Sequence, residues 1–360
     1  MTSDRDLARW RIRDQHLAAP HAASASDVVA SLLAVQAENP GQAAWAVATR
    51  TTRPDPGDLD GLLDTGAVIR THVLRPTWHF VARADLGWLQ ELTAPRVRPV
   101  YWRQLVDQHG WTAQDLERAL AGVVESLTAR PDQTREQLRQ DLRDRGIVVT
   151  GQPLMLLLGL AETDRLVCSG RPLDGTHTYA LFADRVGTDT RFDRDQALAD
   201  LAARYFTGHG PATARDLAYW ATLSLGDVRR GLDAARHLLA SFEHDGRTFW
   251  HAPDTAAPRG DQRPAGHLLQ ILDETYRGYQ DSRWVLDAEG IVPRGRETAI
   301  GMAIVDAQLV GRMRRRIGAR VAFEVTPHRP LRPVELDALE AAAARYGEFL
   351  GLDHELVLPA

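Results

Sequence analysis

The chain contains no lysine: all 43 basic residues among its 360 are arginine. No side-chain ammonium is available to form a Schiff base, to hold phosphates in a P-loop or to serve as a lysine general base. Cysteine is nearly absent too. The single Cys168 can form no internal disulfide and no thiolate metal cage, and its place on an apolar predicted strand marks it as a core residue. Long apolar runs are missing, since Leu154 to Ala161 is far short of the roughly 18 residues needed to span a bilayer. The N-terminus is charged from its fourth residue, so a secretory apolar region is not expected and a cytoplasmic protein is. No Walker A pattern, G-x-G-x-x-G, G-x-S-x-G or H-E-x-x-H occurs, and the 13 histidines lack metal-ligand spacing. Neither a metal nor a cofactor is expected.

What is present is an ordinary globular composition, 44% hydrophobic and 25% charged, over a length that suits two or three domains. The pattern is mainly helical with small β-hairpins, an α+β class. Leu7 to Leu17 and Asp27 to Val35 read as helices, the second capped by Ser26. VIRTHV and TWHFV, broken at Arg75-Pro76, read as a hairpin followed by a helix from Ala84 to Leu92. A similar unit recurs. Leu116 to Leu127, a capping box at Thr134 to Gln137 and the helix LMLLLGLAETD precede the paired strands LVCS and TYALF. It returns from Asp195: helices to Tyr205, from Ala214 to Ala221 and from Ser224 to Ala235, then SFEH and RTFWHA joined by Asp245-Gly246.

Helix, helix, turn, helix, hairpin is the order of a winged helix-turn-helix, and its repetition predicts three in tandem. The expected units are 1–110, 111–190 and 191–265, followed by 266–360 with a three-strand meander over 299–326 and a closing helix from Pro333 to Phe349. Gly110 to Ala113, Val186 to Asp193 and 253–264 read as linkers. A helix-turn-helix fits the major groove and a wing reaches the backbone, so double-stranded DNA is the expected partner. The net charge of -5 argues against a uniformly basic surface, but charge is unevenly spread. Residues 293–332 hold nine arginines against Glu297, Asp306 and Glu324, and 70–103 hold six against Asp85 and Glu91. Arg312, Arg314, Arg315 and Arg316 lie on one predicted strand and are candidate phosphate contacts, as are Arg75 and His79 beside the first hairpin turn.

Leu32-Leu-Ala-Val-Gln-Ala-Glu-Asn-Pro40 places Gln36 and Glu38 where a helix is broken by Asn39-Pro40. On a regular helix such a pair diverges by about 200°, so convergence on one site requires unwinding. Asp273-Glu274 at the end of a helix offers an acid/base pair, but adjacent carboxylates on a helix point apart, so a cap or ion-pair role is expected.

These residues resemble the winged-helix DNA glycosylases of the AlkZ and YcaQ type. Such proteins carry Gln-x-Gln or Gln-x-Asp in a segment like LLAVQAQ, here LLAVQAE. RTHVLRPTWHFV, the run from Leu272 to Tyr279 and AAARYGEFLG are further points of similarity. The resemblance implies excision of N-alkylated purines, some from bulky or crosslinked adducts, by a monofunctional, metal-independent glycosylase acting as a monomer on alkylated DNA near the nucleoid. It makes Gln36 and Glu38 the catalytic candidates, with Glu38 standing where relatives have glutamine or aspartate. A non-catalytic DNA-binding protein on the same fold, a regulator or lesion sensor, is the alternative.

Overall fold

In the computed structural model of the chain, residues 2–188, 192–258, 264–293 and 301–359 are described. Parts of two expected linkers and the first residues of the expected meander lie outside them. Helix α1 (Asp4–Asp14) is closed by a capping box in which Ser3 and Asp6 exchange side-chain-to-backbone bonds of 3.2 and 3.0 Å. Its apolar face, Leu7, Ala8 and Ile12, packs against Leu269, Met302 and Ile304 near the other end of the chain. Buried Arg11 ties it there, donating to the Pro211 carbonyl at 2.7 Å and the Ser282 hydroxyl at 2.5 Å.

The first repeat begins with α2 (Ala25–Leu32), capped by Ser24 rather than Ser26. The helix stops before Val35 because Leu33 adopts a positive φ of 65°. Val35–Gln36 then forms β1, followed by α3 (Pro40–Ala48), α4 (Pro56–Thr65), β2 (Val68–His72) and β3 (Trp78–Ala82). Gly66 ends α4 in the left-handed region at φ 75°, where a Cβ is costly. Helix α5 (Arg83–Arg103) runs well past the expected Leu92 and contains Pro95 and Pro99. The second repeat comprises α6 (Ala113–Ala129), β4 (Gln133–Thr134), α7 (Arg135–Asp144), α8 (Gly151–Thr163), β5 (Val167–Ser169) and β6 (Thr178–Leu181), and α9 (Phe182–Arg185) follows. The capping box at Thr134 and Gln137 forms, with bonds of 2.8 and 3.2 Å.

The third repeat has α10 (Arg194–Gly208), α11 (Ala214–Trp220), α12 (Leu225–Ala235), β7 (Ala240–His244) and β8 (Arg247–His251). Here the first strand is reduced to a single bridge from Ala212 to Trp250. The helix–strand–helix–helix–hairpin order thus occurs three times. In each sheet the last strand lies between the other two, as β1-β3-β2, β4-β6-β5 and the Ala212 bridge on β8.

The remainder builds β9 (Gly266–Leu269), α13 (Glu274–Arg277), β10 (Gly301–Val305), β11 (Gln308–Ile317), β12 (Arg320–Pro327), α14 (Pro333–Leu350) and β13 (Asp353–Val357). The expected three-strand meander is the centre of a five-stranded sheet, β13-β12-β11-β10-β9, in which β13 joins parallel to β12. One face carries α14 through Met313, Phe323, Leu339 and Tyr346, and the other carries α1.

Both faces of the first hairpin are covered. Val35, Val68 and Phe80 pack on α2, α3 and α4. Ile69 and Val81 pack on α5 and α10 through Leu86, Leu89, Leu201 and Tyr205. Burial on two sides encloses polar residues of its strands as well, Arg70, Thr71 and His79 among them. Cys168 is a core residue with 0% exposure, and burial pushes its thiol far above the ordinary range.

Candidate active site

Gln36 and Glu38 do not end a helix. Gln36 lies on β1 opposite His79 of β3, and the extended backbone there removes the helical divergence expected of the pair. Both side chains are bonded to the same hairpin segment. The Gln36 amide oxygen accepts from Arg75 Nη2 at 3.3 Å, and Glu38 Oε1 accepts from the Trp78 backbone N–H at 2.8 Å. Gln36 is almost fully enclosed, at 4% exposure, whereas Glu38 is half-buried.

Beneath Gln36 lies a carboxylate for which the sequence favoured a cap or ion-pair role over acid/base chemistry. Asp273 fits that role, capping α13 at the Thr275 N–H and receiving a two-armed bond from buried Arg50 at 2.7 and 3.0 Å. Its neighbour Glu274 points elsewhere and is 0% exposed. Glu274 Oε1 accepts from the Gln36 backbone N–H at 3.1 Å, with Arg75 Nη2 at 4.0 Å. Oε2 accepts from Trp220 Nε1 at 2.8 Å and faces His209 Nε2 at 3.3 Å. Burial alone would raise this carboxyl, but the His209 bond and the nearby charge of Arg75 outweigh it and hold it at about 2. Close approach requires a glycine at 278, where a Cβ would sit 2.5 Å from the Glu274 carbonyl and 2.9 Å from the His209 ring.

Arg75 and His79 were candidate phosphate contacts, and the structure places them differently. His79 is fully enclosed. Its Nδ1 is 2.9 Å from the Thr77 carbonyl and its Nε2 is 3.2 Å from Arg75 Nη2, so Nδ1 carries the proton and Nε2 accepts. Burial, reinforced by Arg75, lowers its pKa to about 3 and keeps the ring neutral. With both nitrogens engaged inside the protein, His79 has no surface to offer a phosphate. Arg75 is 9% exposed and is spent largely on Gln36, His79 and the Arg277 carbonyl, the last at 3.0 Å.

Gln36 and Arg75 form the wall of a cleft of about 540 Å³ between the first hairpin and the third repeat, lined also by Thr77, Arg96, Tyr219 and Arg277. Glu38 stands beside this cleft rather than in its lining. Arg277 donates to the Tyr219 hydroxyl at 3.5 Å. Burial pushes the Tyr219 phenol up, but that bond and the charges of Arg75, Arg283 and Arg277 hold it below its ordinary value. The cleft is therefore cationic and suited to an anionic backbone.

The Glu38 side of the hairpin is braced by the second repeat. The Arg70 guanidinium stacks 3.9 Å over Trp78 and its Nε donates to the Ala37 carbonyl at 2.9 Å. Trp78 Nε1 donates to buried Glu162 at 3.2 Å, and His72 bonds the same carboxylate. Among the described residues no cluster of three His, Cys, Asp or Glu side chains is arranged for a metal ion, and no helix is long and apolar enough to cross a membrane.

The arginine run lies on β11 as expected. Arg312, Arg314 and Arg316 alternate onto one face, while Met313 enters the core. Arg315 turns the other way, onto the Tyr346 ring and hydroxyl. Arg316 pairs with Glu324 at 2.9 Å, and Arg314 makes no ion pair among the described residues. Sequence reading missed Glu274, Arg277, Tyr219, His209 and Trp220 as parts of the site. The acidic pair Asp273-Glu274, set between Ile271-Leu272 and Tyr276, was the available signal.

The family model described as "DNA glycosylase AlkZ-like" matches residues 29–349. The chain is 25% identical to an interstrand DNA cross-link repair glycosylase of Streptomyces sahachiroi, over 94% of this chain and 96% of that one. Its fold matches the solved structure of the Streptomyces sahachiroi DNA glycosylase AlkZ with a TM-score of 0.78, at 20% identity over 99% of both chains. The chain thus belongs to the AlkZ-like DNA glycosylase family.

Proposed function

We propose that the chain is a monofunctional DNA glycosylase that hydrolyses the N-glycosidic bond of N-alkylated purine nucleotides in double-stranded DNA, acting as a cytoplasmic monomer. The observation that carries this reading is the fixing of Gln36 and Glu38 on one hairpin segment beside an arginine-lined cleft. Alkylation at N7 makes the purine cationic, so the base leaves as a neutral molecule once the bond from C1′ to N9 breaks. The protein has then to stabilise an oxocarbenium-like sugar and deliver water to C1′. Glu38 has one oxygen on the Trp78 N–H and the other without a partner among the described residues, free to accept the proton of the attacking water. Gln36 holds the reacting group by hydrogen bonding. With no lysine to form an imine, the product is an intact abasic site.

Arg96 and Arg277 of the cleft, together with half-buried Arg312 and exposed Arg314 and Arg316 on the face of β11 opposite Met313, supply the phosphate contacts. The relative's printed name makes interstrand cross-links a substrate to test beside N7-methylguanine. The direct test incubates the protein with a duplex carrying one N7-methylguanine and measures free base. Release in excess of the spontaneous rate is expected. Tight duplex binding without release would establish the non-catalytic reading instead.

A further inference from the structure

We propose that Glu274 is a positioning residue for base excision, a role that rests on the glycosylase reading above. It acts by holding Arg75 and the backbone of Gln36, and it touches no reacting atom. An ionised carboxylate with no solvent access persists only where donors and charge compensate its lost hydration. The groups facing Glu274 are all donors, and they divide between two purposes. Oε2 is spent on the core, on Trp220 and His209. Oε1 is spent on the site, on the Gln36 N–H and toward Arg75. Two anchors prevent Glu274 from drifting. Asp273 beside it is clamped by Arg50, and Gly278 lets the His209 ring close against the turn.

The consequence is an orientation. A guanidinium has donors and no acceptor, so only the oxygen of the Gln36 amide can face Arg75 Nη2. The Gln36 NH₂ is thereby turned away from Arg75, and it has no partner among the described residues. Gln36 meets the substrate as a hydrogen-bond donor, which leaves Glu38 as the acceptor for the proton of the water. His79 reinforces the arrangement because its neutral Nε2 accepts from the same Arg75 nitrogen. Remove the negative charge of Glu274, and Arg75 becomes a buried cation without a counter-ion. It then has reason to turn toward solvent or phosphate, releasing the amide to flip.

Single-turnover release of 7-methylguanine from a duplex containing one N7-methylguanine tests this, alongside affinity for the same duplex carrying a tetrahydrofuran abasic analogue. Glu274→Gln is expected to lower the rate about 30-fold or more at unchanged affinity. Glu274→Asp keeps the charge at the cost of a methylene-sized gap and is expected to retain more activity than the glutamine variant. A packing role predicts the reverse order, since glutamine is the isostere. Should Glu274→Gln fail to fold, Arg75→Met carries the test, because Glu274 keeps its Trp220, His209 and Gln36 donors there. Its rate loss should match that of Glu274→Asp or exceed it, and should be larger than the affinity loss that follows from removing a charge from the cleft wall. Where both folded single variants are available, losses in Arg75→Met and Glu274→Gln should be non-additive in the double variant. A Glu274→Gln or Arg75→Met rate within about threefold of wild type overturns the proposal. So does aspartate falling below glutamine, an affinity loss equal to the rate loss, or full additivity. In each of these cases the wild type still excises and the glycosylase reading stands. A wild type that releases no base overturns both.

Discussion

Replacing Glu38 by alanine separates an enzyme from a passive binder, and the structure sets the size of the effect. Glu38 is half-buried and contributes one bond to the fold, the 2.8 Å contact from the Trp78 N–H. Trp78 remains held by the Arg70 stack and by its indole bond to Glu162, so the hairpin keeps its shape. Loss of the Trp78 bond costs about 1 kcal/mol of stability, a small fraction of what a folded domain has in hand. The chemical loss is larger. A positioned general base contributes about 10²- to 10⁴-fold. A cationic leaving group puts this reaction at the low end, so a rate drop of about 100-fold, or about 2.7 kcal/mol of barrier, is expected. Because Glu38 stands outside the lining of the arginine cleft, DNA affinity should change less than about twofold. Single-turnover excision and a fluorescence anisotropy titration with abasic-analogue duplex measure the two quantities. Glu38→Gln keeps an oxygen for the Trp78 N–H and should retain activity on N7-methylguanine, losing relatively more on a neutral adduct. An alanine variant that excises within about threefold of wild type would refute the assignment, as would a loss accounted for entirely by weaker binding.

Other expectations follow from the same structure. Neutralising Arg314 and Arg316 together should reduce the slope of log K against log salt by up to about two for duplex DNA, with less than the full effect from Arg316 because Glu324 already pairs it; an unchanged slope places the phosphate track elsewhere. Borohydride should trap no covalent adduct dependent on an internal residue, and mass spectrometry of a trapped peptide would contradict this. Arg50→Met strands Asp273 without its charge partner in a fully enclosed site, so stability should fall by about 3 kcal/mol or more, read as a lower urea midpoint. The pH dependence has a definite sign. His79 and His177 are held at about 3 and His267 at about 4, chiefly by burial, so the unfolded chain takes up their protons first. The stability they contribute is complete above about 6.5 and is lost as pH falls toward 4 and 3. Glu274, held at about 2, adds a further loss from about 4.3 downward. Urea midpoints that stay level between pH 7.5 and 5 would contradict this.

Much of the architecture is carried by local sequence. Thr134 and Gln137 close a capping box with no help from distant residues, Asp245-Gly246 supplies the positive φ angles of 48° and 67° that the third hairpin needs, and alternation places Arg312, Arg314 and Arg316 on one face of β11. These are contacts within a few residues, where propensity and side-chain period decide. The mainly helical α+β class and the thrice-repeated order follow from such contacts. Tertiary structure decided the site. No residue type in the segment marks the end of α2 at Leu32, and a leucine does not by itself favour the positive φ found at Leu33; the two-residue strand β1 pairs with β3, and Glu274, 238 residues away, accepts the Gln36 N–H. The same holds for Arg75 and His79, which look like surface groups beside a turn until the third repeat and α13 close over them. A buried charge is tolerable only where counter-charges and donors arrive from elsewhere in the chain, and sequence proximity carries no information about that arrival. Hence the motif was legible from its own segment, whereas the carboxylate beneath it became visible only when distant segments were brought together.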